Sequence, residues 1–289
     1  MASMNQLSTA ARAKVVAVLV EGNSLRATAR ITGVARMTIE KLLRDLGEAC
    51  ARYHAEHVRG IKSRRIQCDE IWSFVGAKAK NVPESKHGLW GDCWTWTALD
   101  ADTKLMVSYM VGPRTPPMAY EFMKDVAARV AGPVQLTTDG LYWYIDAVDH
   151  AFGIDVDYAM LEKHYGKAPT DSVASVRYSP SRFTGATAKI IKGRPDPRYI
   201  STSHVERQNL TMRMHMRRFT RLTNGFSKKI EMHAHAVAVH FAYYNFCKIH
   251  QSLRVTPAME AGISDHAWSI DELVGLLPLE SFKSQAFSA

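Results

Sequence analysis

Apolar positions recur along this chain at two different periods. In the first 65 residues the spacing is helical. Val15, Val16, Val18, Leu19 and Val20 form an apolar run that stops near Gly22-Asn23. The next stretch, SLRATARITGVARMTIEKLLRDLGEAC, has the small Ala29, then Gly33 four residues on, then Ile39 after six more. A small residue lets two helices cross closely, a glycine takes the left-handed turn between them, and a buried aliphatic anchors the second helix. Residues 47–65 read as a helical, basic connector. From Ile66 the pattern becomes that of strands: IQCDEIWSFVG, CWTWTALD and LMVSYMVG form a meander with a turn at Asp100-Ala101-Asp102-Thr103. Pro116-Pro117 opens a helix through Val130, which Gly132-Pro133 ends. VQLTTDG is a fourth strand, LYWYIDAVDHAFG a helix and DVDYAMLEK a fifth strand. Residues 163–203, rich in Ser, Thr, Gly, Pro and basic side chains, are expected to be a long loop approaching nucleic acid. Helix returns at His204–Leu222 and Lys229–Phe246, before a tail of HQSLRVTPAMEAGIS and WSIDELVGLL.

A parallel strand needs a helical crossover, so this order predicts an α/β domain of the RNase H-like kind with a mixed five-stranded sheet, over residues 66–250. An all-helical module, residues 1–65, precedes it, and a tail, residues 251–289, follows. The spacing of Ala29, Gly33 and Ile39 resembles the helix-turn-helix family of DNA-binding domains. On that resemblance Ala35-Arg36-Met37-Thr38 opens a recognition helix, with Arg36 and Thr38 placed to reach base edges. A helical hairpin used only for packing is the alternative.

Composition narrows the classes. At 289 residues, 46% hydrophobic and 22% charged, the chain can bury a sizeable core. No apolar stretch reaches the roughly 20 residues of a membrane helix, and MASMNQLSTAARAK lacks a secretory core. Cys50, Cys68, Cys93 and Cys247 are scattered without CxxC spacing, as expected of free thiols in a cytoplasmic protein rather than of disulfides or a zinc site. The net charge of +9 is concentrated: residues 1–65 hold 12 Lys or Arg against 5 Asp or Glu, and residues 189–229 hold 11 against 2. Between them lies a mildly acidic middle. Basic segments bind phosphate without regard to sequence, while acidic positions between them can hold metal, which makes double-stranded DNA the expected partner.

Three carboxylates carry the candidate chemistry. Asp69 lies inside an apolar strand, where an unpaired charge is costly to bury. Asp139 closes a strand beside Gly140, and Glu206 lies near the start of the helix HVERQNLTMRMHMRRF. Strand alternation does not decide between Asp69 and Glu70, because the sheet is expected to be covered on both faces. Asp139 has the turn-forming Asp-Gly as its lesser alternative, and Glu206 can be a favourable acid in a helix's first turn. Hard oxygen ligands suit Mg²⁺, whose shell phosphate oxygens and water complete.

DEIWSFVG, TTDG, the ALDADTKLMVSYMVG hairpin and HVERQN in that order, with the tail YNFCKIHQSLRVTPAM, resemble the DDE transposases of bacterial insertion sequences, nearest the insertion-sequence-one family. The resemblance covers about residues 66–262 and departs at Lys248, where an arginine is common, and in having no cysteine-based zinc module. It implies an RNase H-like fold, with Asp69, Asp139 and Glu206 as catalytic and metal-holding residues. Two Mg²⁺ ions, with Mn²⁺ as substitute, would be shared by the pairs Asp69–Asp139 and Asp69–Glu206. It also implies binding of the element's terminal inverted repeats, strand cleavage and strand transfer, by a homodimer or higher oligomer on DNA associated with the bacterial nucleoid. The rivals are an RNase H-like nuclease that cuts without joining and a domesticated DNA-binding regulator.

Arg207, Arg213, Arg217, Arg218 and Arg221 on the helix of Glu206, with Lys228 and Lys229, fit DNA-backbone contacts, Arg213 and Arg217 sharing a helix face. His233, His235 and His240 lack one-face ligand spacing, and Trp90, Trp94 and Trp96 are expected in the core. For Tyr142-Trp143-Tyr144, packing and base stacking both stay open.

Overall fold

A computed structural model describes residues 7–166, 182–220 and 224–277. The chain starts with three helices, α1 (Thr9–Val20), α2 (Leu25–Thr32) and α3 (Arg36–His57). Ser8 and Ser24 cap the first two, their hydroxyls accepting from the amides of Ala11 at 3.2 Å and Ala27 at 3.1 Å. Gly33 ends α2 in the left-handed region, at φ 74°, which a β-carbon would make costly. The expected connector is no separate element, since α3 runs on through it to His57.

Among the described residues six strands follow, β1 (Arg65–Val75), β2 (Gly91–Asp100), β3 (Met106–Gly112), β4 (Val134–Thr138), β5 (Val156–Gly166) and β6 (Arg182–Lys192). Their order in the sheet is β3-β2-β1-β4-β5-β6. The first three are mutually antiparallel, β4 runs parallel to β1 and β5 parallel to β4. Helix α4 (Pro116–Arg129) and helix α5 (Tyr144–Phe152) provide the crossovers. This is the mixed α/β sheet of an RNase H-like fold, with one strand more than expected. Residues 182–192 are not loop: they pair antiparallel with β5 as a sixth, edge strand. Of the expected loop, residues 167–181 lie outside the described residues.

Among the described residues four further α-helices follow, α6 (Ser203–His215), α7 (Ile230–Ala242), α8 (Pro257–Glu260) and α9 (Ile270–Val274). The helix of Glu206 is shorter than expected. It stops at His215, Met216 is extended (φ −126°, ψ 107°), and Arg217–Phe219 form a separate turn of 3-10 helix. The break lets both Met216 and Phe219 enter the core beside Ile71 and Phe241. Arg217 and Arg218 therefore do not share a helix face with Arg213, and Arg221 lies outside the described residues.

The sheet is covered on both faces. Ile66 and Cys68 of β1 pack with Phe122 of α4 and Tyr144 of α5, while Ile71 packs with Val205 and Met212 of α6. The N-terminal helices share their core with the other end of the chain: Val16, Ile39 and Leu46 meet Ala238 and Val239 of α7 and Leu273 of α9.

Three histidines are buried in neutral form. His54, against the Met106 carbonyl at 3.1 Å, is pushed down to about 4 by burial, helped by Arg129. His233, between the hydroxyls of Ser73 and Ser227, and His240 are each pushed down to about 3, again chiefly by burial. The unfolded chain binds these protons near pH 6.5 and the fold does not, so stability is complete above that pH and is lost as pH falls below it. Each pH unit lost in that window costs about 1.4 kcal/mol per histidine. The raised carboxyls of the candidate site act in the opposite sense over the same range, so the thermal midpoint of His240→Phe, followed by circular dichroism, is expected to fall less from pH 7 to pH 5 than that of the wild type. The same pH dependence in His240→Phe and wild type would contradict the neutral burial of this ring.

Candidate active site

Two adjacent parallel strands and one helix bring the three carboxylates together. In the register of β1 against β4, Cys68 faces Thr138, so Asp69 and Asp139 are the next residues on neighbouring strands. Glu206 is in the first turn of α6. That turn is held by β1 itself: the buried Gln67 side chain accepts from the amides of His204 at 2.9 Å and Val205 at 3.2 Å. Thr202, at the helix start, makes no cap hydrogen bond; its hydroxyl donates to Glu206 Oε1 at 2.5 Å. One turn after Glu206, Asn209 Nδ2 donates to Asp69 Oδ2 at 2.7 Å, and Asp69 Oδ1 accepts from the Glu70 amide at 2.8 Å.

Strand parity separates Asp69 from Glu70. Gln67, Asp69 and Ile71 point toward α6. Glu70 points the other way, where Tyr144 donates to Oε1 and Arg114 Nε to Oε2 at 3.1 Å. Arg114 also lies 3.7 Å from Asp139, and Lys163 of β5 pairs with Glu206.

Crowded negative charge shows in the acidities. Burial, reinforced by Asp139 and Glu206, pushes Asp69 up to about 7. Asp139 is raised as well, chiefly by burial and against the pull of the Leu141 amide and Arg114. Burial and Asp139 push Glu70 up to about 8, although Tyr144 and Arg114 favour its charge. Among the described residues, no three or more His, Cys, Asp or Glu side chains surround one point as a single ion would require. The donor set still suits divalent cations. It offers hard oxygens only, and a shared cation would offset both the burial that chiefly raises Asp69 and the repulsion by Asp139 and Glu206 that adds to it.

The residues expected to meet DNA are dispersed in sequence but not all in space. Arg36 opens α3 exposed, and Thr38 is half-buried. Arg207 is exposed on α6, Arg213 is half-buried near its end, and Lys228 and Lys229 are exposed just before α7. Arg218 is largely enclosed, its Nη1 donating to Ser227 Oγ at 3.0 Å, and burial pulls it down to about 10. Arg36, Arg217, Arg218, Lys228 and Lys229 border a single cavity. Of the aromatic trio, Tyr144 is buried and Tyr142 exposed; Trp96 is fully buried between Phe122 and Tyr144.

Gln67, Arg114, Lys163 and Asn209 escaped the sequence reading. Only Asn209 had a local signal: it sits three residues after Glu206, on the same helical face, within the quoted HVERQN.

Comparison with known proteins finds three likenesses. Residues 190–247 match the family described as IS1 transposase, a span that contains Glu206 and Asn209. The Insertion element iso-IS1n protein InsB of Shigella dysenteriae is 26% identical over 180 residues, covering 62% of this chain and 95% of that protein. These two likenesses support an insertion-sequence transposase. A cryo-EM structure of the piggyBac transposase synaptic complex with hairpin DNA aligns with a TM-score of 0.40 at 12% identity, covering 93% of this chain and 69% of that one.

Proposed function

We propose that this chain is the transposase of an insertion sequence, which binds the terminal inverted repeats of its element, cuts a DNA strand there and joins the freed end to target DNA. The reading rests on the convergence of Asp69, Asp139 and Glu206 from two neighbouring strands and one helix, where Asp139 and Glu206 add to burial in raising the pKa of Asp69. We assign residues 1–65 to DNA binding and residues 66–250 to catalysis, with at least two copies acting on the two ends of one element. No described helix is long and apolar enough to cross a membrane.

Asp69 with Asp139, and Asp69 with Glu206, would each hold one Mg²⁺ or Mn²⁺. Such ions supply an activated attacking oxygen and stabilisation of the leaving oxygen. The chain's own contribution is positional. Asn209 orients the Asp69 carboxylate, Gln67 and Thr202 set the first turn from which Glu206 reaches in, and Arg114 steadies Asp139. Exposed Arg and Lys side chains bind the phosphate backbone. Once cleavage leaves a 3′-hydroxyl, that oxygen forms a bond to a target phosphorus as the target's own 3′ oxygen leaves. The exchange conserves the number of phosphodiester bonds.

The direct experiment incubates the full chain with Mg²⁺ and a plasmid bearing the element's ends. Nicks at the ends and joined products are expected. Cutting without joining would make the chain a nuclease, and no cutting at all would sink the proposal.

Lys163 occupies the place of a cation on Glu206. Its removal in Lys163→Met frees that carboxylate. A partly exposed ion pair is worth up to about 1 kcal/mol, so Mn²⁺ is expected to bind roughly fivefold more tightly. Calorimetric titration without DNA reads this; unchanged affinity would show that Lys163 does not compete with the ion.

A further inference from the structure

A cavity of about 530 Å³ lies where the start of α2, the start of α3, the Arg217–Phe219 turn and the start of α7 meet. Six cations border it, Arg26, Arg36, Arg217, Arg218, Lys228 and Lys229, against one carboxylate, Glu40, among the described residues. They come from four separate segments, so local sequence did not force them together. Two helices begin at this cavity with no side chain capping them: α3 after Ala35 and α7 after Lys229. Their first-turn amides favour an anion. The inner wall is apolar, including Leu43, Met232 and Val239. His240 also lines the cavity; it is 4% exposed, and neither ring nitrogen has a partner.

Concentrated like charge is costly unless an anion neutralises it, and a bare inorganic anion leaves the apolar wall unused. A ligand that joins a phosphate to a flat, largely apolar body meets both halves, and the cavity has room for one such unit. We propose that this cavity binds a single nucleotide, its phosphate among the cations and its base against Met232 and Val239. The DNA-cutting reading bears only on the source of that nucleotide, which would be an unpaired position of the DNA being processed. Arg36 and Arg217, expected from sequence to read bases and backbone separately, then serve one site.

The test uses the full chain. Thermal-shift titration with thymidine 5′-monophosphate is expected to saturate, and inorganic phosphate to act at least tenfold more weakly. Met232→Trp fills the apolar half without altering charge and is expected to raise the nucleotide midpoint at least tenfold. Arg217→Gln, at an exposed position, is expected to raise it severalfold. No saturable shift in the wild type, or the same midpoint in Met232→Trp as in the wild type, overturns the proposal. A fluorescent duplex with a three-nucleotide single-stranded end is then challenged with the mononucleotide. Competition supports a site for the DNA's own strand, whereas saturable binding without competition supports a site for free nucleotide. Plasmid cutting is scored separately, so failure of the transposase reading leaves the nucleotide titration interpretable.

Discussion

Asp69→Asn is expected to reduce strand cleavage by at least about 10³-fold while leaving the fold and end binding in place. The change removes one negative charge shared between both proposed ion positions. Metal-assisted charge stabilisation is worth several kcal/mol, and about 1.4 kcal/mol is a factor of ten in rate. Asp139→Asn and Glu206→Gln are expected to act in the same way. Glu70→Gln is the informative control. Its side chain points to the opposite face of β1, into the contacts with Tyr144 and Arg114. It should stay within about tenfold of the wild type, a loss of about 1.4 kcal/mol. Single-turnover nicking alongside a binding assay separates the cases. Near-normal nicking by Asp69→Asn would take that residue out of the site, and a collapse in Glu70→Gln alone would put Glu70 there instead.

Gly47→Ala is expected to destabilise the fold even though it places a better helix former inside α3. Alanine is worth about 1 kcal/mol more than glycine inside a helix, so propensity alone predicts a gain. Packing opposes it. A β-carbon at Gly47 would lie 2.4 Å from His235 Cβ, 2.6 Å from its Cα and 2.8 Å from its carbonyl oxygen, so the backbone of α7 would have to move. Moving it separates α3 from α7 and opens the core in which Leu43 and Leu46 meet Ala238 and Val239. Overpacking of this kind costs about 1–3 kcal/mol or more. After the helix gain is offset, a fall of several degrees in the thermal midpoint is expected, at roughly 2–4 °C per kcal/mol. A midpoint above that of the wild type would mean that propensity wins and that the helices do not approach as closely as described.

Much of this protein was legible because it is set by short-range rules. The order from α1 to β5 follows from apolar periodicity, Gly33 from the left-handed turn it makes, and the start of α4 from Pro116-Pro117. Asp139 at the end of β4 and Glu206 in a helix's first turn were likewise readable from their neighbours. Strand β6 was not. RFTGATAKIIK is largely exposed on both faces, so it carries no two-residue hydrophobic period, and it is a strand only because its backbone pairs with β5. The end of α6 was hidden for the opposite reason: the sequence continues with good helix formers, and the break at Met216 reflects a core that takes both Met216 and Phe219. The choice between Asp69 and Glu70 needed the position of α6, since adjacent strand residues differ only in the face they meet and both faces are covered. Gln67 holds the first turn of α6, Arg114 pairs with Glu70 and Lys163 with Glu206, each across more than 40 residues of chain. The two basic blocks looked separate in the sequence; only the packing of α3 against α7 draws Arg36 and Lys229 to one cavity, because charge carries no period that tells which residues will meet.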